Sequence, residues 1–196
     1  MEILQSKIEN YINILQRFNT FLKAPINNGD HTLFDGFSKV QIFTTALITA
    51  FIFNFGFTIV FSVIETMGLV NFDKHASAKL FDEFPYYIVV LLGVVLAPVM
   101  EELIFRGPLT LFPDNKWFIY VFYFFALSFG LVHITNFEIT RNVILLAPIL
   151  VAPQIIIGLF LGVIRLQYGL VYSMLFHAIY NGILIIPAIL FLSSYD

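Results

Sequence analysis

Residues 86–106 read YYIVVLLGVVLAPVMEELIFR, and this stretch decides the fold. From Tyr86 to Met100 no side chain carries a charge, and then Glu101, Glu102 and Arg106 arrive together. A helix needs about 20 mostly apolar residues to cross a hydrocarbon core about 30 Å thick, so Tyr86 to Phe105 is predicted to span a membrane. The same template finds four further spans at Phe43 to Ile64, Trp117 to Ile134, Asn142 to Ile164 and Tyr168 to Leu192. The composition agrees: of 196 residues 59% are hydrophobic and 12% charged, against about 25% charged in a soluble domain. The fold class is therefore an all-α polytopic transmembrane helix bundle of about five spans, preceded by an N-terminal amphipathic helix.

The first 39 residues differ, holding eight charged side chains. Leu4, Ile8, Tyr11, Leu15, Phe18 and Leu22 recur at intervals of three and four, the mark of one apolar helical face. The stretch lacks the basic start, short apolar run and small-residue cleavage site of a signal peptide. It can lie in the headgroup layer or pack on the helix bundle, the interface being the favoured of the two, and it ends at Pro25, Asn27, Asn28, Gly29 and Asp30. The chain thus divides into an amphipathic helix and loop over 1–39 and a membrane-embedded bundle over 40–196.

A net charge of −3 leaves no basic surface for phosphates, which excludes nucleic acid as a partner. The absence of cysteine excludes disulfides and thiolate metal sites. With the N-terminus inside, Lys7, Arg17, Lys23, Lys39, Arg106, Lys116 and Arg165 fall on the cytoplasmic side and Lys74, Lys79 and Arg141 outside. That excess favours a cytoplasmic N-terminus.

Charge inside a membrane helix costs at least about 2.5–3.5 kcal/mol, so each instance asks for a reason. Glu102 and Arg106 are four apart and share a face, while Glu101 points about 100° away. Pro98 removes the donor to the Val94 carbonyl and is expected to kink the helix beside the carboxylates. Phe129 and His133 share a face of the third span, and His177 and Asn181 a face of the fifth. Asn54 reads as helix-to-helix glue, and Gly158 with Gly162 as close packing, with dimerisation the weaker alternative. His31 and His75 fall in loops and read as surface residues. Two carboxylates, an arginine, two imidazoles and an amide on three apolar helices exceed what packing needs and suit general acid–base chemistry.

The ordered motifs Glu-Glu-x-x-x-Arg (Glu101, Glu102, Arg106), Phe-x-x-x-His (Phe129, His133) and His-x-x-x-Asn (His177, Asn181) resemble those of the CAAX-protease and bacteriocin-processing family. That family includes the Ras-converting prenyl-protein endopeptidase and abortive-infection-like proteins, and the resemblance covers Tyr86 to about Leu192. It implies an intramembrane endopeptidase with its motif helices around a cavity in the bilayer. Glu101 would act as general base on water with His133, while His177 and Asn181 stabilise the oxyanion. Glu102 with Arg106 supports the helix, Phe129 supports the site, and the two glutamates could exchange roles. The alternative of a metalloprotease, with zinc on Glu101, His133 and His177, stays open, although no His-Glu-x-x-His motif is present. In the preferred reading no cofactor is required. Substrates would be peptides or proteins, lipidated or membrane-bound, and a bacterial chain would sit in the cell membrane. The competing reading is a non-catalytic scaffold or immunity protein, or a small transporter, using the same polar cluster.

The depths of the three motif spans disagree. At 1.5 Å per residue Glu101 and His177 lie roughly 10–15 Å from the inner interface, while His133, counted from Trp117, lies about 24 Å in. Either the third helix begins outside the bilayer or one segment is tilted or broken.

Overall fold

The computed structural model describes residues 1–29, 31–73 and 75–194, so the expectations for Asp30 and Lys74 lie outside the described residues. All its regular structure is helical. Five helical stretches are long and apolar enough to cross a membrane: Lys39–Thr66, Tyr86–Leu111, Phe118–Asn136, Arg141–Tyr168 and Leu170–Leu192. Together they make the chain a multi-pass membrane protein.

Helix α1, Glu2–Lys23, shows the bundle packing that is the other placement open to it. Its second half packs on the bundle, with Ile14, Phe18 and Phe21 buried, and the Phe18 ring meets Phe160 edge-on at 5.0 Å. Tyr123 donates to the Leu22 carbonyl at 2.7 Å and Arg17 to that of Leu33 at 2.7 Å, fastening the end of α1. Leu4 and Ile8, also on the apolar stripe, stay exposed. An amphipathic stripe suits a lipid surface and a protein groove equally, and here the groove takes the aromatic half.

Helix α2, Lys39–Thr66, starts on a capping box: Ser38 accepts from the Gln41 amide while the Gln41 side chain accepts from the Ser38 amide. After a short α3, Ala76–Glu83, the second span is built in pieces: α4, Tyr86–Val90, a π-helical turn over Leu91–Leu96, and α5, Ala97–Phe105. A 3₁₀ turn, Gly107–Leu111, follows. Pro98 has no N–H to give, and the ladder ahead of it widens, with the Ala97 amide bonding to Leu92 five residues back.

Helix α6, Phe118–Val132, runs into a 3₁₀ turn at His133–Asn136. The fourth span is broken: α7, Arg141–Leu150, ends at Val151, and α8, Ala152–Tyr168, restarts with Pro153 in its first turn. Gly169, at φ +93°, turns the chain at once into α9, Leu170–Leu192. Helices α6 and α8 pack closely along the glycines. A Cβ on Gly162 would stand 2.7 Å from the Phe122 ring, one on Gly158 3.1 Å from Phe129, and one on Gly130 2.2 Å from Ile155. The Gly158 and Gly162 pair is therefore buried in contacts within the chain, as its packing reading expects.

Candidate active site

The site lies where α5, α6 and α9 face one another across a cavity of about 580 Å³. Glu101, Phe129, His133, His177 and Asn181 all line it. Glu101 and Glu102 differ in surroundings because one helical step turns them apart. Glu102 is fully buried and surrounded by partners: the Ser173 hydroxyl donates a short hydrogen bond to Oε2, and His177 Nδ1 lies 3.0 Å from Oε1. Arg106 Nη1 lies 3.2 Å from the same Oε1, an ion-pair contact without hydrogen-bond alignment. Glu101 keeps 27% of its side chain exposed and turns its Oε2 toward two imidazoles, 3.7 Å from His177 Nε2 and 4.0 Å from His133 Nε2.

The ring orientations follow from the second nitrogens. His133 Nδ1 sits 2.7 Å from the Phe129 carbonyl, so that nitrogen carries a proton and Nε2 faces the cavity. His177 is pinned by Glu102 in the same manner. Phe129 is the platform between them, its ring 4.9 Å from His133, 5.7 Å from His177 and 3.9 Å under the Arg106 guanidinium. Arg106 also donates to the Gly158 carbonyl at 3.3 Å, which a side chain on residue 158 would obstruct at 3.2 Å. Arg165 holds the end of α5 by donating to the Arg106 carbonyl at 3.1 Å and to Thr110 at 3.0 Å.

Six of the seven motif residues thus meet in one cluster, and His133 Nε2 and His177 Nε2 both stand within 4.0 Å of Glu101 Oε2, so the three side chains share one level of the bundle although the third span begins at Phe118. The His133 ring leans back toward the Phe129 carbonyl, as helical side chains lean toward the N-terminus. Asn181 sits one turn beyond His177 and donates from Nδ2 to the Gly93 carbonyl at 2.8 Å. That carbonyl has no helical donor: the Ala97 amide is engaged with Leu92, and the next residue in the π register is Pro98. The orphan acceptor is therefore at Gly93, not only at Val94 where α-helical counting puts it.

Three residues near the site escaped the motifs. Ser173 is four before His177 and continues the stripe 173, 177, 181, a signal present in the sequence but unremarkable for a serine. His75, read as a surface residue, is half-buried in the cavity wall with its ring 4.7 Å from Phe137. Burial, helped by the charge of His133, lowers its pKa. Asn54, read as helix glue, lines the same cavity from α2. His31 is exposed as expected.

Among the described residues no three carboxylate or imidazole side chains are grouped to hold a metal ion. Ligands of tetrahedral zinc lie about 3.3 Å from one another, and the Glu101 carboxylate stands 3.7 Å and 4.0 Å from its two imidazoles. These separations exceed the zinc spacing by about 0.4–0.7 Å.

A polytopic bundle that turns a carboxylate and two oriented imidazoles into an interior cavity has the groups that general acid–base chemistry uses. The family comparison is more specific: the model of the type II CAAX prenyl endopeptidase Rce1-like family matches residues 83–183, just over half of the chain and all seven motif positions. The chain belongs to that family of membrane proteases. No curated protein and no solved structure matches it.

Proposed function

We propose that the protein is an intramembrane endopeptidase in which Glu101 activates a water molecule for attack on a peptide bond. The observation that carries this reading is the convergence of Glu101 Oε2 with His133 Nε2 and His177 Nε2 within 4.0 Å at the cavity wall. Glu101 accepts the proton of the water, and the His133 Nε2 lone pair holds its second hydrogen. The hydroxide adds to the scissile carbonyl, and the tetrahedral oxyanion takes hydrogen bonds from the His177 ring and from the second Nδ2 hydrogen of Asn181. Glu101 then returns its proton to the leaving amine as the C–N bond breaks. Glu102, held by Arg106 and Ser173, keeps His177 oriented. The reaction needs no metal.

The family's prenyl-protein substrates suggest the same class here, a membrane-bound protein or peptide carrying a lipidated cysteine. The cationic residues at the α1 end of the spans favour a cytoplasmic N-terminus; buried Arg106 leaves that count, and Lys7, Arg17, Lys23, Lys39, Lys116 and Arg165 keep it.

The test is cleavage of a peptide with a farnesylated cysteine by purified protein in nanodiscs. Wild type is expected to cut it, insensitive to chelators, while accumulating Glu101→Gln and His177→Ala lose at least about 100-fold in rate. Function that survives in both variants would refute the protease reading. Stoichiometric zinc with chelator-sensitive, zinc-restored cleavage would replace the glutamate mechanism.

A further inference from the structure

We infer that Asn54 binds the substrate backbone, its side-chain amide pairing with the N–H and C=O of one extended residue of a peptide lying in the cavity. This rests on the protease reading above and adds to it a residue outside the three motifs, on a span that carries none of them.

Asn54 stands in the middle of α2 and lines the same cavity as Glu101 and His177. Phe51 stacks on Tyr180 of α9 at 5.0 Å, and Asn54, three residues on, shares that inner face of α2. The polar side chains around it are engaged: Thr49, Thr58 and Ser62 donate to carbonyls four residues back on α2, and Asn181 donates to the Gly93 carbonyl. Among the described residues nothing hydrogen-bonds the Asn54 side chain. An amide in an apolar span is costly unless another helix or a ligand meets it, and no described helix does so here. The residue is half-buried and its amide atoms are not sealed, so a molecule in the cavity reaches them.

The substrate has the complementary need. An extended peptide entering a bilayer cavity brings backbone N–H and C=O groups that water no longer satisfies. In extended backbone the N–H and C=O of one residue point to the same side, and a primary amide offers an acceptor and a donor side by side to match them. Much of the wall is apolar, including Ala97, Ile157, Leu184 and Ile185. An amide set in that wall fixes the backbone register without reading side chains, and so helps decide which peptide bond reaches Glu101.

The experiment measures KM, kcat and Tm in nanodiscs for wild type and Asn54→Leu, using a farnesyl-cysteine peptide and a series in which each amide outside the scissile bond is replaced by an ester, which removes one N–H. Asn54→Leu is expected to raise KM about 25-fold, about fivefold for each of two hydrogen bonds, with kcat within about twofold of wild type. Its Tm is expected to fall by no more than about 2 °C, because the amide holds no other helix. One ester is expected to cost wild type about fivefold in KM and to cost Asn54→Leu nothing further. The inference is overturned if no ester raises the wild-type KM, if every ester affects wild type and Asn54→Leu alike, or if Asn54→Leu lowers Tm with KM unchanged, the result that helix-to-helix glue would give. Should Asn54→Leu not accumulate, Asn54→Ala, which adds no bulk to the wall, takes its place in the series. A wild type that cuts none of the peptides refutes the protease reading instead, and the same series, read as Kd, then decides whether Asn54 meets a peptide backbone; a wild type that binds none of them overturns the inference as well.

Discussion

Arg106→Met removes a charge from the interior while keeping most of the stem that packs on Phe129. Arg106 is 1% exposed and Glu102 0% exposed, so the substitution leaves a carboxylate that water cannot reach. Breaking a buried ion pair by deleting one partner costs about 3–5 kcal/mol. Glu102 retains the Ser173 hydroxyl and His177 Nδ1, which places the loss near about 3 kcal/mol. For a chain of this size each kcal/mol moves the Tm by about 2–4 °C, so a drop of roughly 6–12 °C is expected by thermal unfolding in detergent. Adding Glu102→Gln removes the stranded charge, and the double variant should lie at least about 1 kcal/mol above the sum of the single losses. A shift below about 2 °C for Arg106→Met, or strictly additive losses in the cycle, would refute the reasoning that these groups form one buried unit.

Other consequences follow from the same contacts. Gly162→Ala sets a methyl 2.7 Å from the rigid, buried Phe122 ring and should cost about 1–3 kcal/mol in the same assay; an unchanged Tm would show that α6 and α8 have slack there. Asn181→Leu strands the Gly93 carbonyl and deletes an oxyanion donor, so it should lower stability by about 1–3 kcal/mol and kcat together, and loss of kcat alone would contradict the tie across to the π turn. The lowered pKa of His75 means that the folded state resists its protonation, so its contribution to stability is present above about pH 6.5 and fades as pH falls through that value toward the folded pKa. His75→Gln should flatten the acid side of a Tm-against-pH curve, and an unchanged curve would show that His75 titrates freely.

The spans were legible because their signal is length and hydropathy, which tertiary contacts do not alter. The pairings of Glu102 with Arg106 and of His133 with the turn of Phe129 were legible because helical spacing dictates them. What lay beyond the sequence was decided between helices. Spacing makes Glu101 and Glu102 neighbours and cannot say which of them meets Ser173 on α9. The Asn181 partner depends on the i to i+5 register ahead of Pro98, where an α-helical count selects a different carbonyl. His75 and Asn54 carry no periodic signal toward the cavity, since one is in a connection and the other on a span apolar all round. The apolar stripe of α1 fits lipid or protein, and only the aromatic groove at Phe160 and Phe34 decides it.

The most direct test of the shared water is the set of kcat/KM values for wild type, Glu101→Gln, His133→Ala and the double variant on one farnesyl-cysteine peptide. Groups that act on one water fail as a unit, so the double variant should be no more than a few-fold slower than the worse single variant. Losses that multiply, or a Glu101→Gln protein that still cleaves near the wild-type rate, would contradict the account.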